Sequence, residues 1–408
     1  MRLQRFVSTL AITLPLATSS GCGGSDATSG DTVTVGLLLP FTGSTSATTR
    51  NFERAALYAA DRVNAGGGIH GRRLRIVSRD THDDIERSQQ STDELIAEGA
   101  VVVVGPESAG IAQAIAPALA AHQVAFLSPL VGAADESSVD CTNPWFRLAP
   151  SARSLGEALA KLAWSQNLRS AAVLHSADAY DIALSDAVDA RFAALGGQIT
   201  LRLELDPNAQ SYAAIARQTI DAGVESIFLA AAPRTGALAV NELEALSPRP
   251  LQWYLSPLLK TEVLVANVAP EALEGAFGVA PRIFDTGTAF PDAFSARWQG
   301  DRPLEGAYFY YDAVALLALA LAKTTPAADG SIDVLQLPAA IQDAAAPPGE
   351  GVAWDEIELG LLRTRSGGDI YYSGLTGPML LDACGSRQLG ATSTWQVHAG
   401  TIAEVPAQ

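Results

Sequence analysis

The chain has 408 residues, of which 48% are apolar and 17% charged, a globular composition long enough for two or three domains. Acidic residues outnumber basic ones 44 to 27, for a net charge of −17, which argues against nucleic acid or an anionic lipid surface as partner. Three cysteines and five histidines, without CxxC or HExxH spacing, leave few ways to hold a metal, and no cofactor is expected.

The first segment, residues 1–21, reads as a signal peptide. Arg2 and Arg5 precede an apolar stretch from Phe6 to Ala17, too short to cross a bilayer as a helix. Ser19-Ser20-Gly21-Cys22 resembles a bacterial lipobox, with Ser19 where that pattern has leucine. Cys22 is then the expected lipidated residue; ordinary cleavage near Gly21 is the alternative. Residues 22–31 read as a flexible tether. The expected location is the periplasmic side of a bacterial cell envelope, anchored to a membrane by lipid alone. Disulfides persist in such a compartment, so Cys141 and Cys384 could pair or remain two thiols.

Past the tether, Thr32 to Leu39 is a continuous apolar run ended by Pro40, the pattern of a strand buried on both faces. Phe52, Ala55, Ala56, Ala59 and Val63 then recur at helical spacing. Strands at Leu74–Ser78, Val101–Val104 and Val124–Leu127 alternate with further helices, which predicts a parallel, doubly wound sheet. After a break at Asn143-Pro144 and Ala149-Pro150-Ser151 the alternation restarts. Its strands are Ala171–His175, Ile199–Leu205, Ser226–Ala230 and Gln252–Leu255. The fold class is therefore α/β, two doubly wound Rossmann-like lobes with a ligand cleft between them. Ala307 to Ala322 is apolar but short and carries Asp312, so a buried or half-buried helix is expected. Residues 344–368, with Pro347-Pro348 and several glycines, read as a loop-rich insertion.

Several fragments imitate catalytic motifs. Gly66-Gly67-Gly68-Ile69-His70-Gly71 satisfies GxGxxG, but it follows a helix and precedes a strand, the reverse of a dinucleotide fingerprint. A helix stop and turn is the expectation. The serine in Gly105–Gly110 has GxxSxG spacing, not that of a nucleophile elbow. Asp80, His82, Asp83 and Asp84 could ligate a divalent metal, but acids just before a helix more often cap it. No catalytic residues are assigned, and no enzyme is expected.

The stretch Asp61-Arg62-Val63-Asn64-Ala65-Gly66-Gly67-Gly68-Ile69, then Gly71-Arg72-Arg73-Leu74, resembles type I periplasmic binding proteins of the leucine/isoleucine/valine-binding family. Val102-Val103-Val104-Gly105-Pro106, Phe126-Leu127-Ser128-Pro129, Ala179-Tyr180, Glu274-Gly275-Ala276, Tyr311-Asp312-Ala313 and Gly374-Leu375-Thr376-Gly377-Pro378 continue the resemblance. It implies three hinge crossings, near Phe146–Pro150, Ala276–Pro281 and Gly390. The first lobe would hold 32–147 plus 281–389 and the second 148–280 plus 391–408, with Cys141 and Cys384 both near the hinge.

The resemblance also implies the site: Thr42, Ser108, Ala109, Val131, Gly132, Tyr180 and Leu258. At the end of the Val101–Val104 strand, free N–H groups suit a carboxylate. Ala109 stands where the family has a serine, Gly132 where it has a threonine, and Leu258 where it has the acid that meets a ligand ammonium; alternatively the loop is displaced by one residue and Ser108 is the anchor. The implied function is a solute-binding protein for an ABC importer whose small organic ligand is less polar than an amino acid, with a carboxylic acid lacking an amine as the first candidate. An envelope lipoprotein that binds a protein partner and regulates an enzyme or receptor is the alternative.

Overall fold

Residues 32–42, 46–132, 145–284, 289–327, 331–387 and 392–405 are described by the computed structural model. The signal segment, the tether, Cys22 and Cys141 lie outside the described residues. Strands β1 (Thr32–Leu39), β2 (Arg73–Asp80), β3 (Ala100–Val104), β4 (Ala125–Ser128) and β5 (Trp145–Arg147) form one parallel sheet in the order β2-β1-β3-β4-β5. Helices α1 (Ser46–Ala65), α2 (Ile85–Ala97) and α3 (Ala109–Ala121) link its first four strands. From Val33 to Leu39 every residue of β1 is buried. With helices on both faces a central parallel strand has no solvated side, and its sequence is correspondingly apolar throughout.

The glycine run is a helix stop. Gly67 and Gly68 take φ of 91° and 70°, and the Gly68 N–H donates to the Val63 carbonyl at the end of α1, the left-handed ending that glycine adopts without steric cost. Asp84 caps α2 by accepting from the Arg87 N–H at 2.9 Å. Among the described residues no cluster of metal-ligating side chains is present.

The second unit runs through α4 (Ala152–Ser165), β6 (Ser170–Ser176), α5 (Ala179–Leu195), β7 (Gln198–Leu205), α6 (Ala213–Asp221), β8 (Ser226–Ala230), α7 (Pro233–Leu246), β9 (Gln252–Leu255), α8 (Glu262–Ala266) and β10 (Phe277–Pro281). The chain then contributes α9 (Ala289–Arg297), α10 (Glu305–Lys323), α11 (Leu337–Ala345), β11 (Glu350–Ala353), α12 (Ile357–Arg365), β12 (Ile370–Gly374) and β13 (Gly377–Pro378), before β14 (Thr392–His398) and β15 (Thr401–Val405). The second sheet has the order β15-β14-β10-β9-β8-β6-β7. Its last two strands join antiparallel, β10 to β14 and β14 to β15.

Two sequence readings need comment. Helix α10 has the length and hydropathy of a membrane span, but every residue from Gly306 to Leu321 is buried. It packs along α1, with Phe52 stacked on Tyr310 at 5.3 Å; burying each such ring or leucine contributes about 1.5–3 kcal/mol. The loop-rich insertion expected at 344–368 is instead ordered: α12 lies within it, and β11 pairs in parallel with β12 in a small third sheet closed by β13. Glycines and prolines at its turns masked two short elements.

Where the chain passes between sheets, two segments distant in sequence run side by side. The Arg147 N–H donates to the Gly385 carbonyl at 2.8 Å and the Arg387 N–H to the Arg147 carbonyl at 3.1 Å. The Arg147 guanidinium reaches the Ser386 hydroxyl at 2.6 Å. Cys384 in this strip is disulfide-bonded.

Candidate functional site

In an open parallel sheet, ligands bind beyond the carboxyl ends of the strands where the winding reverses, because the connections there leave in opposite directions and open a crevice. In the first sheet the chain goes from β1 outward to β2 and returns to β3. Its crevice therefore lies between the ends of β1 and β3, beside Thr42 and Glu107-Ser108. In the second sheet β6 leads outward to β7 and back to β8, so Tyr180, just after β6, stands at the matching place.

The seven ligand-site residues singled out in the sequence all lie among the described residues. Thr42 is exposed, and its hydroxyl lies 3.0 Å from His82 Nδ1. Ser108 caps α3, its Oγ accepting from the Ile111 N–H at 3.4 Å, and Ala109 opens that helix. Val131 and Gly132 are buried after β4. A Cβ on Gly132 would lie 2.3 Å from the Pro150 carbonyl oxygen, so the absence of a side chain there is set by the close approach of the crossing strand. Tyr180 is half-buried against the core of the second lobe, and burial, with Asp181 beside it, pushes its phenol up. Leu258 is 47% exposed on the short turn Pro257–Leu259 after β9.

One group escaped the sequence reading. Glu107, between β3 and the α3 cap, has its Oε1 withdrawn from solvent with no hydrogen-bond partner. Desolvation first, then the negative charge of Asp83, pushes its carboxyl up to about 7. Two hydroxyls on fully buried side chains, Thr49 Oγ1 on α1 and Tyr310 Oη on α10, are likewise unpartnered, and Tyr310 interacts electrostatically with Glu107. In the second lobe Asp181 is buried after β6; Ser176 donates to its Oδ2 at 2.6 Å while Oδ1 has no partner. Burial is the main reason its carboxyl is raised to about 6. Position beyond a strand end was the available signal for Glu107; its lack of a partner has no signature in one sequence.

An ion pair joins the two units. Lys260, just past the Leu258 turn of the second, has its Nζ 2.5 Å from Glu305 at the start of α10 and 3.0 Å from Glu404 on β15. Its side chain is 9% exposed. Burial opposes the ammonium, but the two carboxylates hold it above its ordinary value.

The Glu107 shift has a defined consequence for stability. A carboxyl raised on folding binds its proton more tightly in the native than in the unfolded chain, so stability falls as pH rises from the ordinary glutamate range through about 7. With partial exposure discounted, the change is on the order of 2 kcal/mol. The E107Q variant does not titrate, so relative to the native chain it should gain that amount between about pH 5 and pH 8. Urea unfolding of both proteins across this range checks the sign; a constant difference would show that Glu107 is not desolvated.

Two doubly wound sheets, each presenting its switch crevice, define a bilobal binding protein. A sequence model described as periplasmic binding protein matches residues 32–348, and the chain belongs to that family, one of binding proteins and not of enzymes. It is 24% identical over 216 residues to the Leu/Ile/Val-binding protein BraC3 of Rhizobium johnstonii, a match spanning 53% of this chain and 59% of that protein. The chain thus spans somewhat over half the length of the curated relatives it matches. Among solved structures, the leucine-binding protein LivK of Thermotoga maritima superposes with a TM-score of 0.73 at 17% identity, covering 92% of this chain and 98% of the other. A solute-binding protein of an ABC transporter from R. palustris, solved with benzoate, superposes at 0.69 with 19% identity, covering 92% and 95%. These likenesses establish the shared fold.

Proposed function

We propose that this chain is an exported, lipid-anchored solute-binding protein that captures a small organic molecule between its lobes, for an ABC importer. The observation that carries the reading is the Lys260–Glu305 pair. It is an ionic contact between the two lobes in which the lysine side chain is nearly covered while its carboxylate partners stay about half exposed, and such a contact supports a bilobal protein with its lobes held together. A relative named for binding leucine, isoleucine and valine, and a structural neighbour solved with benzoate, support a small organic molecule.

Lobe boundaries are placed at 32–147 plus 281–389 and at 148–280 plus 391–408; the sheet memberships support this division, with the second crossing following β10. Thr42, Ser108, Ala109, Val131 and Gly132 would form the first-lobe wall and Tyr180 and Leu258 the second. Cys22 would carry the lipid. Cys141 is the proposed partner of Cys384, whose neighbour Gly385 already pairs with Arg147, six residues beyond Cys141.

Small-angle scattering of the chain from residue 26 onward, with and without hits from a thermal-shift panel, tests the reading, because a ligand that binds only the closed form raises the melting point by mass action. A ligand that compacts the protein is expected. Replacing Lys260 by methionine should shift the population towards the open form and weaken that ligand about threefold, since it leaves Glu305 and Glu404, each about half exposed, without their shared cation. A protein that never compacts with any metabolite, and instead retains a protein partner from the envelope, would replace this reading with that of a regulatory lipoprotein. Leucine, isoleucine and valine are expected to bind more weakly than about 1 μM, because Ala109 and Gly132 offer no hydroxyl to an amino acid's polar groups and Leu258 offers no charge to its ammonium in the second lobe.

A further inference from the structure

The Glu107 Oε1 atom has lost its water without gaining a donor. Buried polar atoms in native proteins nearly always have partners, and an exception asks what supplies the missing one. Desolvating a carboxylate without compensation is costly, and Glu107 stands at the end of β3, the strand that bounds the switch crevice of the first lobe. Thr49 Oγ1 and Tyr310 Oη, also unpartnered and both on fully buried side chains, add two further open hydrogen-bond positions in the same lobe.

The charges around this point share one sign. Asp83, from the loop after β2, is the charged group that acts on Glu107, and Asp83 in turn feels Asp80. From α10 the facing titratable group is Tyr310, a neutral phenol. Among the described residues, the nearby ion pairs join Arg79 to Glu98 and His82 to Asp80, not to Glu107 or Asp83. His82 is engaged with Thr42 and Asp80. A ligand carboxylate placed at the start of α3 would face the carboxyls of Glu107 and Asp83, a repulsion that outweighs the partial charge of one helix end. The second lobe has Leu258 where the resemblance puts the ammonium partner, so the acid that a cation needs is found in the first lobe.

We propose that Glu107 is the ligand-facing acceptor that sets specificity, and that the cleft takes a small organic amine or other N–H cation in preference to a carboxylate. This rests on the reading that ligand is held between the lobes. It departs from the sequence expectation of a carboxylic acid.

Titration calorimetry with two matched pairs of probes, phenethylamine against phenylpropionate and pentylamine against hexanoate, tests it on the native chain, on E107Q and on an H82Q control that removes the neighbouring imidazole. The amine of at least one pair should bind more tightly than its acid. Because the ionised carboxylate holds an ammonium far more strongly than the neutral acid does, amine affinity should rise about tenfold from about pH 6 to about pH 8.5, following the ionised fraction of Glu107. E107Q should weaken the amine at least tenfold and abolish the rise, while H82Q keeps it. A preference for the acids, with affinity falling as pH rises, would overturn the proposal and leave the solute-binding reading in place. Failure of all four probes at about 1 mM would also overturn it, with lobe closure in scattering deciding separately whether the binding reading stands.

Discussion

The D312A variant is expected to lose about 3–5 kcal/mol of stability, the scale of removing one partner from a buried ionic network. Asp312 is fully buried in α10. Its Oδ1 accepts from the Tyr372 hydroxyl at 2.7 Å and the Leu375 N–H at 2.9 Å, and its Oδ2 accepts from the Thr376 N–H at 2.8 Å and the Thr376 hydroxyl at 2.7 Å. Alanine would strand all four donors, each at about 1–3 kcal/mol if buried and unsatisfied. The effect also reaches the crossings, because the buried guanidinium of Arg387 donates to the carbonyls of Thr376 at 2.5 Å, Pro378 at 2.8 Å and Leu148 at 3.0 Å. Burial lowers the Arg387 pKa to about 10, and Asp312 is the charge that counters it. Urea unfolding should show the midpoint falling without a change in slope. A loss below about 1 kcal/mol would mean the four donors find water or new partners on relaxation.

Gly132 should be as intolerant, for a different reason. Either G132A or G132T places a Cβ 2.3 Å from the Pro150 carbonyl oxygen, a backbone atom that yields only if the first crossing moves. Both variants are therefore expected to cost about 3 kcal/mol or more, with threonine no better than alanine even though it adds the hydroxyl that the sequence resemblance implies at this position. If G132T instead folded with native stability and gained affinity for leucine, the glycine would be a pocket adaptation and not a packing requirement. Calorimetric melting of both variants, with leucine titration of any that folds, separates these outcomes.

Local patterning carried most of the fold. Strands β1, β8 and β9 coincide with apolar runs, since a parallel strand covered on both faces must be apolar at consecutive positions. The glycine run after α1 and the Asp84 cap were equally readable, because helix ends are satisfied by residues within a few positions. Residues 344–368 were misread because their strand is short and its partner lies twenty residues on, Glu350 against Ile370, beyond the reach of a periodicity argument.

What a residue lacks, and what meets it from far along the chain, was decided only by the tertiary structure. Ala109, Gly132 and Leu258 could be set against a family pattern from the sequence, but not the carbonyl that fills the space beside Gly132. Glu107 became a candidate only when packing removed its water without supplying a donor. Lys260 and Glu305 lie 45 residues apart, and Arg387 and Leu148 are 239 apart. Two doubly wound lobes are legible in local pattern alone, because burial on both strand faces and helix capping are local demands. The charge and geometry of the cleft depend on which long-range partners meet and which polar atoms are left without one, and those follow from close packing of the whole chain.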